Sequence, residues 1–310
     1  MKKIVVTGAT GTIGSALVRV ALKHEMEVCA IIRKSTQRME RIPDSSKVYR
    51  IFYEGLEELQ RLTEIPNDYD CFFHLAWNGT GKMTRDDPVL HTPNILYTVH
   101  AVELAWKMGC RRFVGCGSQA EYGPVSGQIG EDTMCSPVTS YGIAKRAAGL
   151  LGQKRSKQLG LEYVWGRIFS AYGPHDKDWT MISTSIDTLL SGEPVHFSPG
   201  SRMWNYLYET DAAEMLLRLG MESTPEGFYP IANPESRKLV DYIKGMIGQF
   251  ESPPDCVFDE PPEAEEGLDV DVSKTIEATH FLPKVTFEDG IRNTIQARRR
   301  KRNGWPVDEP

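Results

Sequence analysis

Residues 3–14 read KIVVTGATGTIG, a short β-branched run that leads into a glycine-rich turn. Such a run is typical of a buried strand in a parallel sheet, and a helix is predicted directly after the turn, over residues 15–24. Small residues at this junction allow backbone N–H groups to approach a pyrophosphate. A tight turn without a ligand is the alternative, because the Gly-x-x-Gly-x-x-Gly spacing differs from the commoner fingerprint. The order of strand, turn and helix favours a dinucleotide site that includes Gly8, Thr10, Gly11, Thr12, Ile13 and Gly14.

Strands and helices are predicted to alternate as far as residue 170. This alternation predicts an α/β fold with a doubly wound parallel sheet of the Rossmann type. Beyond residue 170 the pattern is less regular and richer in aromatic residues, so we expect a smaller α+β C-terminal domain over the carboxyl edge of the sheet. We predict a nucleotide-binding domain at 1–170 plus about 206–232, and a substrate-binding domain at 171–205 and 233–310. The predicted strands are 3–7, 28–32, 48–53, 71–76, 112–116 and 161–168, and later ones lie near 195–197 and 204–208.

The second predicted strand ends in basic residues. In a nucleotide-binding unit of this kind, an Asp or Glu at this point bonds the ribose 2′-hydroxyl of NAD. Here Arg33 and Lys34 stand there instead, and Arg38 is close in sequence. Guanidinium groups bind a 2′-phosphate through charge-assisted hydrogen bonds. The sequence therefore favours NADP(H) over NAD(H), with a pair of exposed charges as the alternative.

Three polar side chains are predicted to meet at the carboxyl edge of the sheet. Tyr141 and Lys145 are four residues apart on a predicted helix, so they share one face of it. An ammonium group close to a phenol favours the phenolate, so we expect Lys145 to lower the pKa of Tyr141 below its ordinary value of ~10. Ser118 follows the fifth predicted strand, at the same edge as the glycine turn. These residues predict an acid–base site, and an amphipathic helix that merely carries a Tyr and a Lys is the alternative.

Two other polar residues have structural alternatives. His74 lies inside an apolar run and is predicted to be a buried structural residue rather than a base. Asn94 lies near the start of a helix predicted over 93–108. It could orient backbone or water beneath the site, or it could cap the helix.

Composition excludes several classes of protein. The chain has 310 residues and a formal net charge of -6, which gives no general attraction for nucleic acid or an anionic membrane. Its basic cluster at 298–302 is predicted to be a helix C-terminus, where cations suit the macrodipole. The six cysteines show no metal-ligand spacing, so we expect reduced thiols and no metal. No long apolar span or signal-peptide pattern appears, and a cytoplasmic protein is predicted.

Several motifs in a fixed order resemble one family. They occupy residues 7–14, 74–76, 118–123, 141–145, 167–174, 204–211 and 284–291. In this set the chain resembles the extended short-chain dehydrogenase/reductases, which include NAD(P)-dependent nucleotide-sugar epimerases, dehydratases and ketoreductases. The resemblance implies that Ser118, Tyr141 and Lys145 form the catalytic triad and that Asn94 belongs to a proton relay. It also implies cofactor contacts at Leu75, Ala76 and Ile168, and substrate contacts at Trp77, Asn78, Gln119, Ser170, Arg202 and Trp204.

The resemblance also narrows the reaction. The family's 4,6-dehydratases carry an Asp-Glu pair after the Ser, where this chain has Gln119 and Ala120. Its 3,5-epimerase-reductases place a Cys at the position of Ala120 and a His beyond the Tyr-Gly-Pro turn, where residues 179–181 contain none. A C4-epimerase or a 4-ketoreductase remains. Because Arg33 and Lys34 favour NADPH, we expect NADPH-dependent reduction of a 4-keto-(deoxy)hexose carried on a nucleotide diphosphate.

Two alternatives to this reaction stay open, and so does the nucleotide. The first alternative is an NAD-dependent C4-epimerase, and the second is a catalytically idle scaffold or sensor that binds the dinucleotide. Ser170 and Trp204 replace an Asn and an Arg that often contact the substrate diphosphate in the family, so the resemblance does not identify the nucleotide. The family also implies a homodimer that packs through helices 93–108 and 140–158.

Overall fold

Seven parallel strands form the central sheet, in the order β12-β7-β5-β4-β1-β2-β3. The computed structural model describes residues 2–62, 66–260, 267–305 and 307, so the end of the proline-rich stretch 252–262 lies outside the described residues. The register is parallel at every pairing of the sheet, for example Val5 with Cys29 and Val5 with Phe72. The strands of this sheet are β1 (Lys3–Thr7), β2 (Glu27–Arg33), β3 (Val48–Tyr53), β4 (Cys71–His74), β5 (Arg112–Ser118), β7 (Glu162–Ile168) and β12 (Gly227–Ile231).

Helices cover both faces of this sheet, as the alternation of elements predicted. Helices α1 and α5 pack together on one face, and α2 and α3 pack together on the other. Apolar residues of the strands are buried on both sides, which explains why the strands read as continuous hydrophobic runs. The helices are α1 (Thr12–Lys23), α2 (Pro88–Lys107), α3 (Ser140–Leu159), α4 (Met181–Leu190), α5 (Glu209–Met221), α6 (Leu239–Ile247), α7 (Ser273–Thr279) and α8 (Phe287–Arg302).

The C-terminal part forms a second core, rich in aromatic rings. Tyr172, Tyr206, Tyr242 and Phe287 pack there with ring centroids 4.7–5.8 Å apart. The predicted strand at 204–208 is broken, because its two halves pair with different partners. The short strands are β6 (Gln128–Ile129), β8 (Ala171–Tyr172), β9 (Val195–Phe197), β10 (Met203–Trp204), β11 (Leu207–Tyr208), β13 (Arg237–Lys238), β14 (Cys256–Phe258) and β15 (Asp269–Val270).

Helix α2 begins five residues earlier than predicted. Asp87 is its N-cap and accepts hydrogen bonds from the backbone N–H groups of Val89 and Leu90. Pro88 follows at the first helical position, where its fixed φ and missing N–H cost little. Pro93 therefore lies inside the helix and does not start it. As a result Asn94 is in the second turn, and the alternative in which it caps the helix is wrong.

Candidate active site

A cleft of about 400 Å³ opens at the carboxyl ends of β1, β2, β4 and β5. Sites for small molecules and cofactors commonly have volumes of ~300–1,000 Å³. This edge of an open α/β sheet is where ligands bind. Of the predicted site residues, those that line the cleft are Gly8, Thr10, Gly11, Thr12, Ile13, Gly14, Arg33, Leu75, Ala76, Trp77, Asn78, Ser118, Tyr141, Lys145 and Ile168.

The glycine turn forms one wall of this cleft and fits a dinucleotide. Gly8 has φ +70°, and a Cβ added there would lie 2.6 Å from the backbone nitrogen of Ala76. A Cβ at Gly14 would lie 2.1 Å from the carbonyl oxygen of Gly8. Helix α1 has no side-chain cap at Gly11, so the first N–H groups of the helix are free of a side-chain acceptor. Such groups can bind a pyrophosphate.

The end of the cleft next to β2 carries two arginines. Arg33 and Arg38 both line it, together with Tyr53 and Leu56. Lys34 does not line the cleft, because its ammonium is 2.6 Å from the carboxylate of Glu54 on the surface. Of the basic residues that the sequence indicated for a 2′-phosphate, Arg33 and Arg38 line the cleft and Lys34 does not.

Tyr141 stands in the first turn of α3, which Thr139 caps. Its backbone N–H donates to the carbonyl oxygen of Arg85 at 3.0 Å, and the Arg85 guanidinium lies 4.6 Å from the centre of its ring. Burial raises the pKa of Tyr141 to about 12, although Arg85 and a hydrogen bond to the Ser118 hydroxyl both act to lower it. The prediction that Lys145 holds this pKa below its ordinary value is therefore wrong, because burial outweighs Arg85 and the hydrogen bond to Ser118.

Lys145 lies one turn further along α3 and is 3% exposed. Its ammonium donates to the carbonyl oxygen of Cys116 at 2.6 Å. It also lies 3.8 Å from the centre of the Trp77 ring, which is a close cation–π contact. Burial lowers the pKa of Lys145. Trp77 thus contacts the predicted catalytic lysine directly.

A buried carboxylate positions Ser118. The side chain of Glu121 is fully buried and accepts hydrogen bonds from the Ser118 backbone N–H at 2.9 Å and from the indole of Trp165 at 2.9 Å. Its other oxygen accepts from Arg167 at 3.0 Å. Because a buried charge is costly unless it is paired and hydrogen-bonded, this network fixes the end of β5. The network was not predicted, although a Glu three residues after a Ser is the signature of a capping box.

Asn94 organises the loop that follows β4. It is 1% exposed, its amide oxygen accepts from the Asn78 backbone N–H at 2.8 Å, and its amide nitrogen donates to the carbonyl oxygen of Asn78 at 3.2 Å. Trp77 in the same loop donates to the imidazole of His91 at 3.2 Å. Asn94 therefore positions backbone beneath the cleft, and a part in a proton relay stays a prediction.

Two cations near the predicted triad, Lys177 and Arg85, were not predicted from the sequence. Lys177, which follows the Tyr-Gly-Pro turn, lines the cleft and donates to the carbonyl oxygen of Thr80 at 3.1 Å. Burial lowers its pKa to about 8. Arg85 covers one face of the Tyr141 ring. Lys177 and Arg85 lie in loops without a recognisable motif. Their charge and their closeness in sequence to other motifs were the only signals that could have predicted them.

The loop that carries Lys177 is joined to the glycine turn. The carbonyl oxygen of His175 accepts hydrogen bonds from the Thr12 hydroxyl at 2.8 Å and from the Arg41 guanidinium at 3.1 Å. Thr12 is the first residue of α1. The C-terminal part of the chain therefore contacts the predicted pyrophosphate site directly.

Several predicted substrate residues lie outside the cleft. Arg202 and Trp204 stack on each other, with 4.8 Å from the guanidinium to the centre of the ring. Gln119 begins the short turn after β5, and Ser170 accepts a backbone hydrogen bond from Leu207 through its carbonyl. The residues that line the cleft do not include Gln119, Ser170, Arg202 and Trp204.

His74, the basic cluster at 298–302 and the six cysteines were also predicted to be structural residues. His74 is 3% exposed and hydrogen-bonded to the Thr7 hydroxyl at 2.9 Å, and burial lowers its pKa to about 3, so it is a neutral structural residue. The basic cluster ends α8, where Arg298 is buried against Asp178 and Asp187. All six cysteines are free. Within the described residues, no group of His, Cys, Asp and Glu could hold a metal ion.

Comparison with known proteins identifies the family. Residues 4–229 match the model of the NAD dependent epimerase/dehydratase family. A UDP-glucuronic acid decarboxylase 6 of Arabidopsis thaliana is 26% identical over 311 residues, which cover 93% of this chain and 86% of that protein. A dTDP-glucose 4,6-dehydratase of Neisseria gonorrhoeae is 24% identical and covers 95% of each chain. The UDP-glucuronic acid 4-epimerase of Bacillus cereus, solved with NAD, has a TM-score of 0.80 at 24% identity and covers 95% of this chain and 96% of its own.

The match over most of the chain confirms the family that the motifs indicated. The chain belongs to the NAD dependent epimerase/dehydratase family and is an enzyme of the extended short-chain dehydrogenase/reductase type. The structural likeness confirms the Rossmann-type fold. No helix among the described residues is long and apolar enough to span a membrane.

Proposed function

We propose that this enzyme reduces a nucleotide-linked 4-keto-(deoxy)hexose at C4 with NADPH, and that Tyr141 donates the proton. The observation that carries this proposal is the position of Tyr141, which lines the cleft together with Ser118 and Lys145. Burial raises the pKa of its phenol to about 12, so the phenol is protonated at neutral pH. A protonated phenol in the cleft is suited to donate to a sugar oxygen as negative charge develops on it.

Each residue of the site then has a definite task. The bound nicotinamide would supply the hydride, which is the cofactor's own chemistry. Ser118, held by Glu121, holds the sugar oxygen beside the Tyr141 hydroxyl. The Lys145 ammonium, held by Cys116 and Trp77, provides positive charge near the phenol and could bond the ribose of the cofactor. Gln119 and Ala120 offer no acid and base for elimination of water.

The choice of NADPH rests on Arg33 and Arg38. Both line the end of the cleft next to β2, where the adenosine ribose of a dinucleotide would lie. No Asp or Glu is among the residues that line this end to accept a hydrogen bond from a 2′-hydroxyl. Comparison of kcat/KM for NADPH and NADH tests the choice. We expect NADPH to be favoured, and we expect the preference to fall in Arg38→Ala.

An NAD-dependent C4-epimerase is the second candidate. It is favoured by the solved structures of similar fold, several of which are nucleotide-sugar 4-epimerases, one of them in complex with NAD. The purified protein can be denatured and the released dinucleotide identified, which distinguishes the reductase from the epimerase. Tightly held NAD would support the epimerase, and a protein that comes free of dinucleotide would support the reductase.

The decisive experiment is a panel of 4-keto sugars linked to CDP, dTDP, UDP and GDP. We expect consumption of NADPH with at least one of them. If no member of the panel is reduced, the reductase proposal fails. If the protein binds NADPH and also converts no 4-hydroxy sugar nucleotide, the scaffold or sensor alternative gains support.

We also propose a cytoplasmic homodimer. The six free cysteines fit a reducing compartment. Leu96 and Trp106 on α2, and Ile143, Leu150 and Leu151 on α3, are large apolar side chains that are exposed in the single chain. Packing of these two helices against those of a second copy would cover them.

A further inference from the structure

We infer that Lys177, which lines the cleft, and Arg85, which stacks on Tyr141, form a binding site for a negatively charged group of the substrate. This inference rests on the proposed function, since it concerns the sugar nucleotide in the same cleft. It assigns a task to two residues that the family motifs do not include.

Neither cation is paired with a carboxylate among the residues that the structure describes. The ammonium of Lys177 donates to a neutral group, the carbonyl oxygen of Thr80, and lies 5.3 Å from the centre of the Trp179 ring. The guanidinium of Arg85 stacks on Tyr141. Both are partly buried. Charged groups that are removed from water are normally paired with an opposite charge. An anion that is not part of the chain could therefore bind to Lys177 and Arg85.

The neighbouring carboxylates are engaged elsewhere. Asp176 accepts from the backbone N–H of Lys177 at 2.7 Å and from the Thr180 hydroxyl at 2.7 Å. Asp86 accepts from the backbone N–H of Ser140 at 2.9 Å, and Asp87 caps α2. Glu121 is bound to Arg167. Among the described residues, no carboxylate therefore forms an ion pair with Lys177 or Arg85, and the nearby Asp176 offsets the charge of Lys177 only in part.

The residues that line the cleft carry more positive than negative charge. The charged residues that line it are Arg33, Arg38, Lys145, Lys177 and Asp176, which is four cations and one carboxylate. Arg33 and Arg38 lie at the opposite end, next to β2, and Lys145 is held by Cys116 and Trp77. Of the cations that line the cleft, Lys177 is therefore the one available to substrate at the catalytic end. Arg85 does not line the cleft but stacks on Tyr141.

Two groups of a sugar nucleotide could supply the negative charge. One is the diphosphate, for which Trp204 stands where the family resemblance would place an arginine. The other is a carboxylate on the sugar. Both would accept hydrogen bonds from an ammonium and a guanidinium. The response of different probes distinguishes a bound diphosphate from a bound carboxylate.

The test is calorimetric titration of the full-length protein in excess NADPH or NADH. The probes are UDP, CDP, dTDP and GDP, together with the pair UDP-glucose and UDP-glucuronate. The variants are Lys177→Met and Arg85→Leu, with Lys177→Arg as the conservative variant. Lys23→Met is the matched control, because Lys23 is exposed at the end of α1 and does not line the cleft. Melting temperatures and the Kd of NADPH are recorded for every variant.

We expect Lys177→Met to weaken binding by about 10- to 100-fold, as for the loss of one charge-assisted hydrogen bond of roughly 1.5–3 kcal/mol. Arg85→Leu should weaken it in the same direction, Lys177→Arg should restore it, and Lys23→Met should not change it. Equal losses for free nucleoside diphosphates and for both sugar nucleotides identify the diphosphate as the bound group. A loss confined to UDP-glucuronate identifies a carboxylate.

Other results would overturn the inference. These are wild-type affinity in both Lys177→Met and Arg85→Leu, a loss of NADPH affinity as large as that for the nucleotides, or a wild-type protein that binds none of the probes. The experiment needs no turnover. If no keto sugar is reduced and the charge-dependent binding is still observed, the proposed reaction fails while this site stands.

Discussion

At the scale of single residues, Tyr141 is the group on which the chemistry depends. Replacement by Phe keeps the ring contacts with Trp77 and His91 but removes the hydroxyl. We expect kcat for Tyr141→Phe to fall by ~10²–10⁴-fold, which is the rate enhancement that a general acid usually contributes. The Kd of NADPH should be unchanged. Tyr49→Phe, at an exposed position on β3, is the control. Unchanged turnover in Tyr141→Phe would contradict the mechanism.

Lys177 gives the site a dependence on pH. Burial lowers its pKa to about 8, and Arg85 and Lys145 act in the same direction, while Asp176 and Cys116 oppose them. The ammonium is charged below that pH and neutral above it. We therefore expect kcat/KM for the sugar nucleotide to fall as the pH rises through about 8, because kcat/KM reports the free enzyme.

The Lys177→Arg variant provides the comparison for this prediction. A guanidinium stays protonated at every accessible pH. The fall in kcat/KM near pH 8 should therefore disappear in Lys177→Arg. A fall of the same size and midpoint in both proteins would show that another group titrates.

The sequence predicted Ser118, Tyr141 and Lys145 as neighbours because each belongs to a regular element whose end lies at the same sheet edge. It did not predict Arg85 and Lys177, because loops bring them there and loop paths are not encoded in periodicity. The predicted direction of the pKa shift of Tyr141 was wrong for a related reason. Spacing along a helix shows that a lysine is near, but it does not show how much water the fold removes from the phenol.

At the scale of elements, the glycine turn is the most constrained segment. A Cβ at Gly14 would meet the backbone of Gly8, which cannot move without opening the turn. We expect Gly14→Ala to lower the free energy of unfolding by about 1–3 kcal/mol, as in other overpacked sites. We also expect the affinity for NADPH to fall at least about tenfold, since the same backbone would hold the pyrophosphate.

Gly130→Ala is the matched control for Gly14→Ala. A Cβ at Gly130 would have no heavy atom within 4 Å, and removal of a glycine there should leave stability within about 1 kcal/mol of the wild type. If Gly14→Ala and Gly130→Ala have the same free energy of unfolding in denaturant titrations and the same affinity for NADPH, the steric argument is wrong.

Strand bounds were more predictable than helix bounds. The strands Lys3–Thr7, Val48–Tyr53 and Val195–Phe197 lie where the apolar runs placed them. The start of α2 was missed because two prolines, Pro88 and Pro93, both resemble a first helical residue, and only the cap by Asp87 distinguishes them. The break between β10 and β11 depends on pairing with distant strands, which local sequence does not reveal.

At the scale of the whole molecule, the topology followed from the alternation of elements. Strand β12, from a late part of the chain, joins β7 at the edge of the main sheet. It lies in the segment 206–232 that was predicted to return to the nucleotide-binding domain, although the domain bounds themselves remain a prediction.

The exposed apolar face of α2 and α3 carries the prediction of a dimer. The chain has a mass of 34.9 kDa, and we expect light scattering to report twice that value. Leu150→Glu and Leu151→Glu should each shift the mass toward that of a single chain, because a charge would be buried at the contact. Leu282→Glu, at an exposed leucine away from these helices, should not. A wild-type protein of single-chain mass would exclude the homodimer.

The contact of Thr12 and Arg41 with the carbonyl oxygen of His175 has a consequence for kinetics. It links the turn that would receive the dinucleotide to the loop that carries Lys177. We therefore expect an ordered sequential mechanism in which the dinucleotide adds first and leaves last. Product inhibition by NADP⁺ should then be competitive with NADPH and noncompetitive with the sugar nucleotide. In Arg41→Ala the order of addition should become random, whereas a random order in the wild type would show that the two loops act independently.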